Sequence, residues 1–412
     1  MDTNELQNYS PNDASMVGDF SSIIIKDATI IDFLHTHQES FDELLFTPVD
    51  SLILSTLAYL NIEEYQYEDT SGSEPVPFID ILRFSPVKKL TSHSWMKDIT
   101  YIGDFLSAVA CSRRYKDLAI MFYFNEYSDK IDKQFSAMTF KLSDHEYYVA
   151  YRGTDGTFAG WKEDFNLSFR DVVPSQMTAL RYLSGTLSAI PSSACIHIGG
   201  HSKGGNLAEF AALTISEKQY RYIRDIYNHD GPSFLNDPSP RIRSEEFRMK
   251  LHKTVPESAV FGMVLEDGDH YKVVKSNATF LAQHMPLTWI VDDTDFLYQD
   301  SLNKNAVFVD ETLQVWLQNS TIEQRQQFVD TFYEMFTNTP ANNWKEFQEK
   351  LIKNTTAFLV NGAKLDDATK EAIKHIVIRL GKQTGQHAKR KISTILTDKV
   401  NSVARTNEEI DR

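Results

Sequence analysis

Cysteine is nearly absent from this sequence: among 412 residues only Cys111 and Cys195 carry thiols. So low a count excludes a disulfide framework and suits a reducing compartment. Cys195 leads into an apolar strand and reads as a small core residue rather than a redox group. Positive charge is also in deficit, with 42 Lys and Arg against 57 Asp and Glu and a formal net charge of -15. That balance argues against general nucleic-acid binding, which needs basic patches to meet phosphates. It also discourages nonspecific attachment to anionic membranes, although a local basic cluster, Lys389-Arg390-Lys391, leaves transient contact with a membrane surface open. No apolar run approaches the roughly 18–20 residues that span a bilayer. Ile23-Ile24-Ile25, for example, is interrupted at Lys26 and Asp27. The N-terminus shows no basic region followed by an apolar core, so no secretory signal is read and a cytoplasmic location is expected, with a signal-free export route left open. Repeats and low-complexity tracts are lacking. No cluster with metal-ligand spacing is visible either, and no metal or organic cofactor is expected.

The most informative stretch runs from Cys195 to Leu213: a short apolar strand, a glycine-rich corner, then a helical pattern. Ile196 and Ile198 alternate into the corner, and Leu207, Phe210 and Ala211 share one helical face beyond it. At the corner, Gly200-His201-Ser202-Lys203-Gly204 fits G-x-S-x-G. In that motif a serine occupies a strained strand-to-helix turn, the glycines allow close backbone approach, and the helix N-terminus points its N–H groups at the serine oxygen. Ser202 is therefore the candidate nucleophile.

Around it an α/β pattern is legible. Met138–Leu142 and Tyr147–Tyr151 read as a hairpin, Gln176–Ala189 as a helix, and Tyr222–His229, Ser258–Leu265 and Tyr271–Lys275 as strands. Upstream, Asp50 is expected to cap a helix through Leu52, Ile53 and Leu57. Asp104–Ser112 reads as another helix, with Arg113-Arg114 favourably placed at its C-terminal end. Strands separated by helices imply a mostly parallel sheet covered on both faces, an α/β fold. Beyond Trp289 the pattern turns helical, with a capping box at Ser320-Thr321-Ile322-Glu323 and apolar stripes at Phe328, Phe332 and Met335, at Trp344, Phe347 and Leu351, and at Ile373, Ile376, Val377 and Leu380.

A serine hydroxyl needs a base, and the base an orienting acid. In α/β-hydrolases the chain order is Ser, then Asp or Glu, then His. Of twelve histidines, that order selects His284; His197 lies on the strand, His201 precedes the nucleophile, His229 and His252 come too early, and His270 leaves no strand after the acid. For the acid, Asp269 is preferred, at the end of the expected strand Ser258–Leu265. Asp267, Glu266 and Asp230 remain alternatives, the last at the end of the preceding strand. The oxyanion hole is assigned to the N–H of Lys203 and to Thr154, in the strand-end sequence Arg152-Gly153-Thr154.

Tyr151-Arg152-Gly153-Thr154, followed by Gly160-Trp161-Lys162-Glu163-Asp164-Phe165, resembles the oxyanion segment of class 3 (fungal-lipase-like) lipases. Gly200-His201-Ser202-Lys203-Gly204-Gly205 resembles their Gly-His-Ser-Leu-Gly-Gly segment, and Gly231-Pro232 falls where they carry a Gly-x-Pro turn. The resemblance spans about Tyr147 to Trp289, and the longer layout is similar to a lipase-like bacterial family. It implies an α/β-hydrolase cleaving carboxylic esters, with lipid or phospholipid favoured over a small soluble ester. Two departures stand out. Lys203 replaces an apolar residue, and the acid segment of those lipases is not recognisable. Lys203 is expected either to set surface charge beside the nucleophile or to mark a different substrate. The expected layout is a loose tail at 1–20, a lipase-like domain at 21–292 and a helical region at 293–412. Thioester hydrolysis or acyl transfer by the same triad, and a non-catalytic binding scaffold, are the rival readings.

Overall fold

The computed structural model describes residues 27–65, 74–92, 101–155, 170–266 and 270–325, with Met96, Glu163, Asn166, Leu167, Gly268, Gln327, Asp366 and Lys370. The tail at 1–20, the three C-terminal apolar stripes and the Lys389-Arg390-Lys391 cluster lie outside these residues. The chain divides into two units, residues 1–279 with 283–301, and residues 280–282 with 302–412.

The first unit is organised around strands that are buried along most of their length. In Tyr147-Tyr148-Val149-Ala150-Tyr151 all five residues are buried, which requires cover on both faces. Tyr148 and Ala150 belong to one core with Leu52, Ile53 and Leu57. Tyr147, Val149 and Tyr151 belong to the other, with Ala179, Leu183 and Leu207. The strands are β1 (Val76–Pro77), β2 (Ala119–Ser128), β3 (Lys133–Lys141), β4 (Glu146–Tyr151), β5 (Cys195–His201), β6 (Ile223–His229), β7 (Leu251–Pro256) and β8 (Lys272–Val274), then the short β9 (Val291–Asp292), β10 (Asp295–Phe296) and β11 (Tyr298–Gln299). Nine of them form one sheet in the order β1-β2-β3-β4-β5-β6-β7-β8-β11, and β9 and β10 pair separately. Neighbours are antiparallel from β1 to β4, parallel from β4 to β8, and antiparallel again at β11.

A parallel sheet that grows in one direction through crossovers of one hand puts its connecting helices on one face. The helices between β4 and β6, Pro174–Ala189 and Lys203–Thr214, pack on each other and on that face. The opposite face is left for the N-terminal segment, whose helix Pro48–Leu57 packs on β4, β5 and β6. Its cap differs from the sequence expectation. Thr47 is the N-cap, its hydroxyl accepting from the Asp50 N–H at 3.1 Å, and Asp50 closes a capping box from the third helical position. The Asp50 carboxylate is also buried against Arg114 at 2.7 Å. Arg114 is thus an internal strut rather than a charge on a helix end.

Two further readings change. Ser258–Leu265 forms turns, not a strand, and the strand at that place in the sheet is Leu251–Pro256. Gly262 explains the difference: a Cβ there would stand 2.3 Å from Asp230 Oδ1, so this segment is shaped by close approach to β6 rather than by a ladder. The helix Lys203–Thr214 is buried from Lys203 through Leu213, so the face shared by Leu207, Phe210 and Ala211 is not its only buried one, and it is a core helix. In the second unit a helix runs Lys304–Asn319. The capping box beyond it joins Thr321 and Gln324, one residue later than the sequence suggested. Among the described residues no helix is long and apolar enough to cross a membrane.

Candidate active site

Ser202 stands between the end of β5 and the first turn of the buried helix, at φ 58° and ψ −135°. A non-glycine residue in this region carries on the order of 1–3 kcal/mol of strain and persists only where its surroundings enforce it. Here the enforcing contacts are tight. The Ser202 N–H donates to the His229 carbonyl at 2.8 Å, and its own carbonyl accepts from the Gly205 N–H at 2.9 Å. Gly200 and Gly204 allow the corner to close: a Cβ on Gly200 would meet the Gly204 carbonyl carbon at 2.3 Å, and one on Gly204 the Tyr151 oxygen at 2.1 Å. The helix behind begins at Lys203, so its N-terminal dipole end lies beside the serine.

The Arg152-Gly153-Thr154 loop comes from the end of β4 and lies against the serine. A Cβ on Gly153 would approach Ser202 Cβ to 3.1 Å and the Tyr59 hydroxyl to 2.1 Å, so only glycine fits. Arg152 is buried and holds Asp155 at 3.2 Å and Asn125 at 3.0 Å, bracing the loop from behind. Thr154 is half-buried next to it. Of the segment that carries the lipase resemblance, Trp161, Asp164 and Phe165 lie outside the described residues, but Glu163 is described and fully buried.

Glu163 resolves the oddity of Lys203. The Lys203 ammonium is not at the surface; it is buried and donates to Glu163 Oε2 at 3.1 Å and to the Gln134 carbonyl and side-chain oxygens at 2.9 and 3.0 Å. Glu163 in turn accepts from the Ser175 N–H and hydroxyl and from the Gln134 N–H. The pair joins β3, the start of the Pro174–Ala189 helix and the elbow. The expectation that Lys203 sets surface charge beside the nucleophile is therefore corrected.

His284 is half-buried, in the 3₁₀ turn Phe280–His284, with its ring between His201 and Phe261, each 4.5 Å away between centroids. Its Nδ1 meets Asp230 Oδ2 at 2.5 Å. Asp230 ends β6 at φ 55°, is fully buried, and accepts from the Gly262 N–H at 3.0 Å through its other oxygen. Burial pushes its carboxyl up, and His284 and that N–H pull it back. The carboxylate beside His284 is thus Asp230, which displaces the preference for Asp269. Asp267 and Asp269 lie outside the described residues, and Glu266 is engaged elsewhere, in a short ion pair with Lys253 and with the Ser233 hydroxyl at 2.6 Å. The preference for Asp269 followed from the strand assigned to Ser258–Leu265. With that segment folded as turns, the carboxylate that meets the histidine is the one following β6.

His201 was not anticipated as a support. Its Nε2–H donates to the His284 carbonyl at 2.8 Å, which leaves Nδ1 to accept from the Tyr59 hydroxyl at 3.1 Å. Burial, and then the neighbouring His284, hold its imidazole well below the usual value, so it remains neutral while fixing the His284 backbone. Among the described residues the His284 side chain has no hydrogen bond besides that to Asp230, leaving Nε2 uncommitted.

No curated protein and no solved structure matches the chain. A family model described as Mbeg1-like matches residues 109–334, more than half of the sequence and the whole span from Gly153 to His284. The chain belongs to the Mbeg1-like family, a lipase-like family.

Proposed function

We propose that this chain is a serine hydrolase of carboxylic esters. The observation that carries the reading is the His284–Asp230 pair, whose imidazole lies against the ring of His201, the residue before the strained Ser202. In the proposed cycle Ser202 Oγ attacks the ester carbonyl while His284 Nε2 takes its proton, and Nδ1–H of the resulting imidazolium is held by Asp230. The N–H groups of Lys203 and Thr154 receive the developing oxyanion, aided by the helix N-terminus. His284 returns the proton to the alcohol as it leaves, then activates water to release the acid from the acyl-serine.

Lipid or phospholipid is the proposed substrate class, on the strength of the family and of the oxyanion and elbow sequences. A thioester or a transferred acyl group would use the same groups. The test compares parent and Ser202→Ala protein on short- and long-chain p-nitrophenyl esters, phospholipid and acyl thioester, with a fluorophosphonate label as a substrate-free readout. Labelling confined to Ser202 and turnover lost in the variant are expected. Equal turnover by the two proteins, or labelling of neither, overturns the hydrolase reading.

A further inference from the structure

At the opposite ends of the same strands, the sheet register gathers a second set of reactive side chains. β4 and β5 pair in parallel with Glu146 beside Cys195 and Tyr148 beside His197, and β5 pairs with β6 so that His197 lies beside Asp225. Cys195 and His197, two residues apart on a strand, point to the same face. His197 is 2% exposed, stacked on Phe46 at 4.3 Å. Its Nε2 lies 3.5 Å from Cys195 Sγ and 3.1 Å from Glu146 Oε1, and the three donor atoms are all within 4.8 Å of one another.

These separations match a tetrahedral metal edge. With zinc–sulfur and zinc–nitrogen bonds of about 2.3 and 2.0–2.1 Å, ligand sulfur and nitrogen stand about 3.5 Å apart and nitrogen and oxygen about 3.3 Å. On the far side of the ring, Asp225 Oδ2 lies 2.9 Å from Nδ1, beside rather than along the N–H direction, and Asp225 is itself held by His252 at 3.2 Å. Turned into line with Nδ1–H, this carboxylate would accept from it and direct Nε2 toward a metal, as in carboxylate–histidine–zinc arrangements.

We propose that Glu146, Cys195 and His197 form a binding site for a zinc-class divalent cation, with solvent in the fourth position. A thiolate, an imidazole and a carboxylate are the ligand mix that suits zinc, and would disfavour magnesium or calcium, which take oxygen. Cys195 is half-buried, so the site opens to solvent. The cation would enter as the thiol releases its proton to water. The Arg224 guanidinium, 3.8 Å from the sulfur, occupies part of that opening, but its side chain is 60% exposed and has room to turn into solvent. The site would tie β4 to β5, with β6 oriented through Asp225, and is independent of the reading given to Ser202.

The test uses the full-length, tag-free chain after chelator treatment, titrated with Co²⁺ and then Zn²⁺. One equivalent of Co²⁺ should produce tetrahedral d–d bands and a sulfur-to-cobalt charge-transfer band, both bleached by Zn²⁺. Cys195→Ser should lose the charge-transfer band, Cys111→Ser should keep it, and Asp225→Asn should weaken binding about 10–100-fold. In the unmutated chain Zn²⁺ should protect Cys195 from iodoacetamide and leave Cys111 reactive, a readout that needs no variant to fold. Ser202→Ala should bind the metal normally. Absence of the sulfur band in the parent, its survival in Cys195→Ser, or equal alkylation of Cys195 with and without Zn²⁺ overturns the site.

Discussion

The two ends of strands β5 and β6 carry the same chemical types, histidine, aspartate and a nucleophilic side chain, in opposite settings. At the C-terminal ends, Asp230 is fully buried, meets one histidine and one backbone N–H, and Ser202 is held by backbone strain. At the N-terminal ends, Asp225 is partly exposed and stands between two histidines, while His197 also faces a second carboxylate and a thiol. The first arrangement is short of charge and rich in backbone donors, which suits a group that must accept a proton and give it back. The second concentrates anionic donors around one ring, which suits holding a cation. Nothing about the residue types separates the two. What does is where the elbow puts the helix N-terminus and which strand ends the glycines let close.

The sharpest way to break that contrast is to exchange its nucleophiles. Ser202→Ala should lower ester turnover by about 10⁴-fold or more in a protein with an unchanged circular dichroism spectrum, and Cys195→Ser should leave it intact. If both variants were equally active, the two ends would not differ in the way described. The aspartates come next. Asp230→Asn should reduce kcat by about 10³–10⁴-fold through loss of the correct histidine tautomer, and Asp225→Asn should not alter kcat. A panel of Asp230→Asn, Glu266→Gln and Asp269→Asn measured side by side sharpens the acid assignment; a larger loss in Asp269→Asn than in Asp230→Asn would reverse it.

A third prediction concerns the buried charge beside the elbow. Lys203→Leu strands the Glu163 carboxylate in the interior, and urea unfolding should show a loss of about 3–5 kcal/mol. Pairing it with Glu163→Gln should recover much of that. An unperturbed Lys203→Leu protein would mean the pair is not internal. The smallest effect is in pH. Burial first, then His252, holds His229 down to about 3, against 6.5 in the unfolded chain. Below about pH 6.5 the unfolded chain takes up a proton that the folded one refuses, so stability falls as pH falls, by about 1.4 kcal/mol per pH unit from this residue. His201 adds in the same direction. His229→Gln should flatten the slope between pH 6.5 and 4.5 by that amount, and an unchanged slope would show that His229 is accessible.

The lipase-like segment was legible because its constraints are local. Ser202, the glycines around it, and the Arg152-Gly153-Thr154 loop are set by backbone geometry over a few residues, and G-x-S-x-G records that geometry directly. The apolar β4 and β5 told of a sheet covered on both faces for the same reason. His284 was selected by chain order, and the structure gives its carboxylate partner as Asp230. What the sequence could not supply were relations across strands and layers. Ser258–Leu265 has strand composition, yet close packing of Gly262 on Asp230 turns it, and the carboxylate that meets His284 is Asp230. Lys203 reads as a surface charge until Glu163, forty positions away, is folded against it. Cys195 reads from the sequence as a small core residue; that Glu146 stands beside it is set by parallel register. Local sterics are written in neighbouring residues and survive translation into a motif; burial, pairing and pKa depend on which distant segments share a low-dielectric space, and only the tertiary fold decides that.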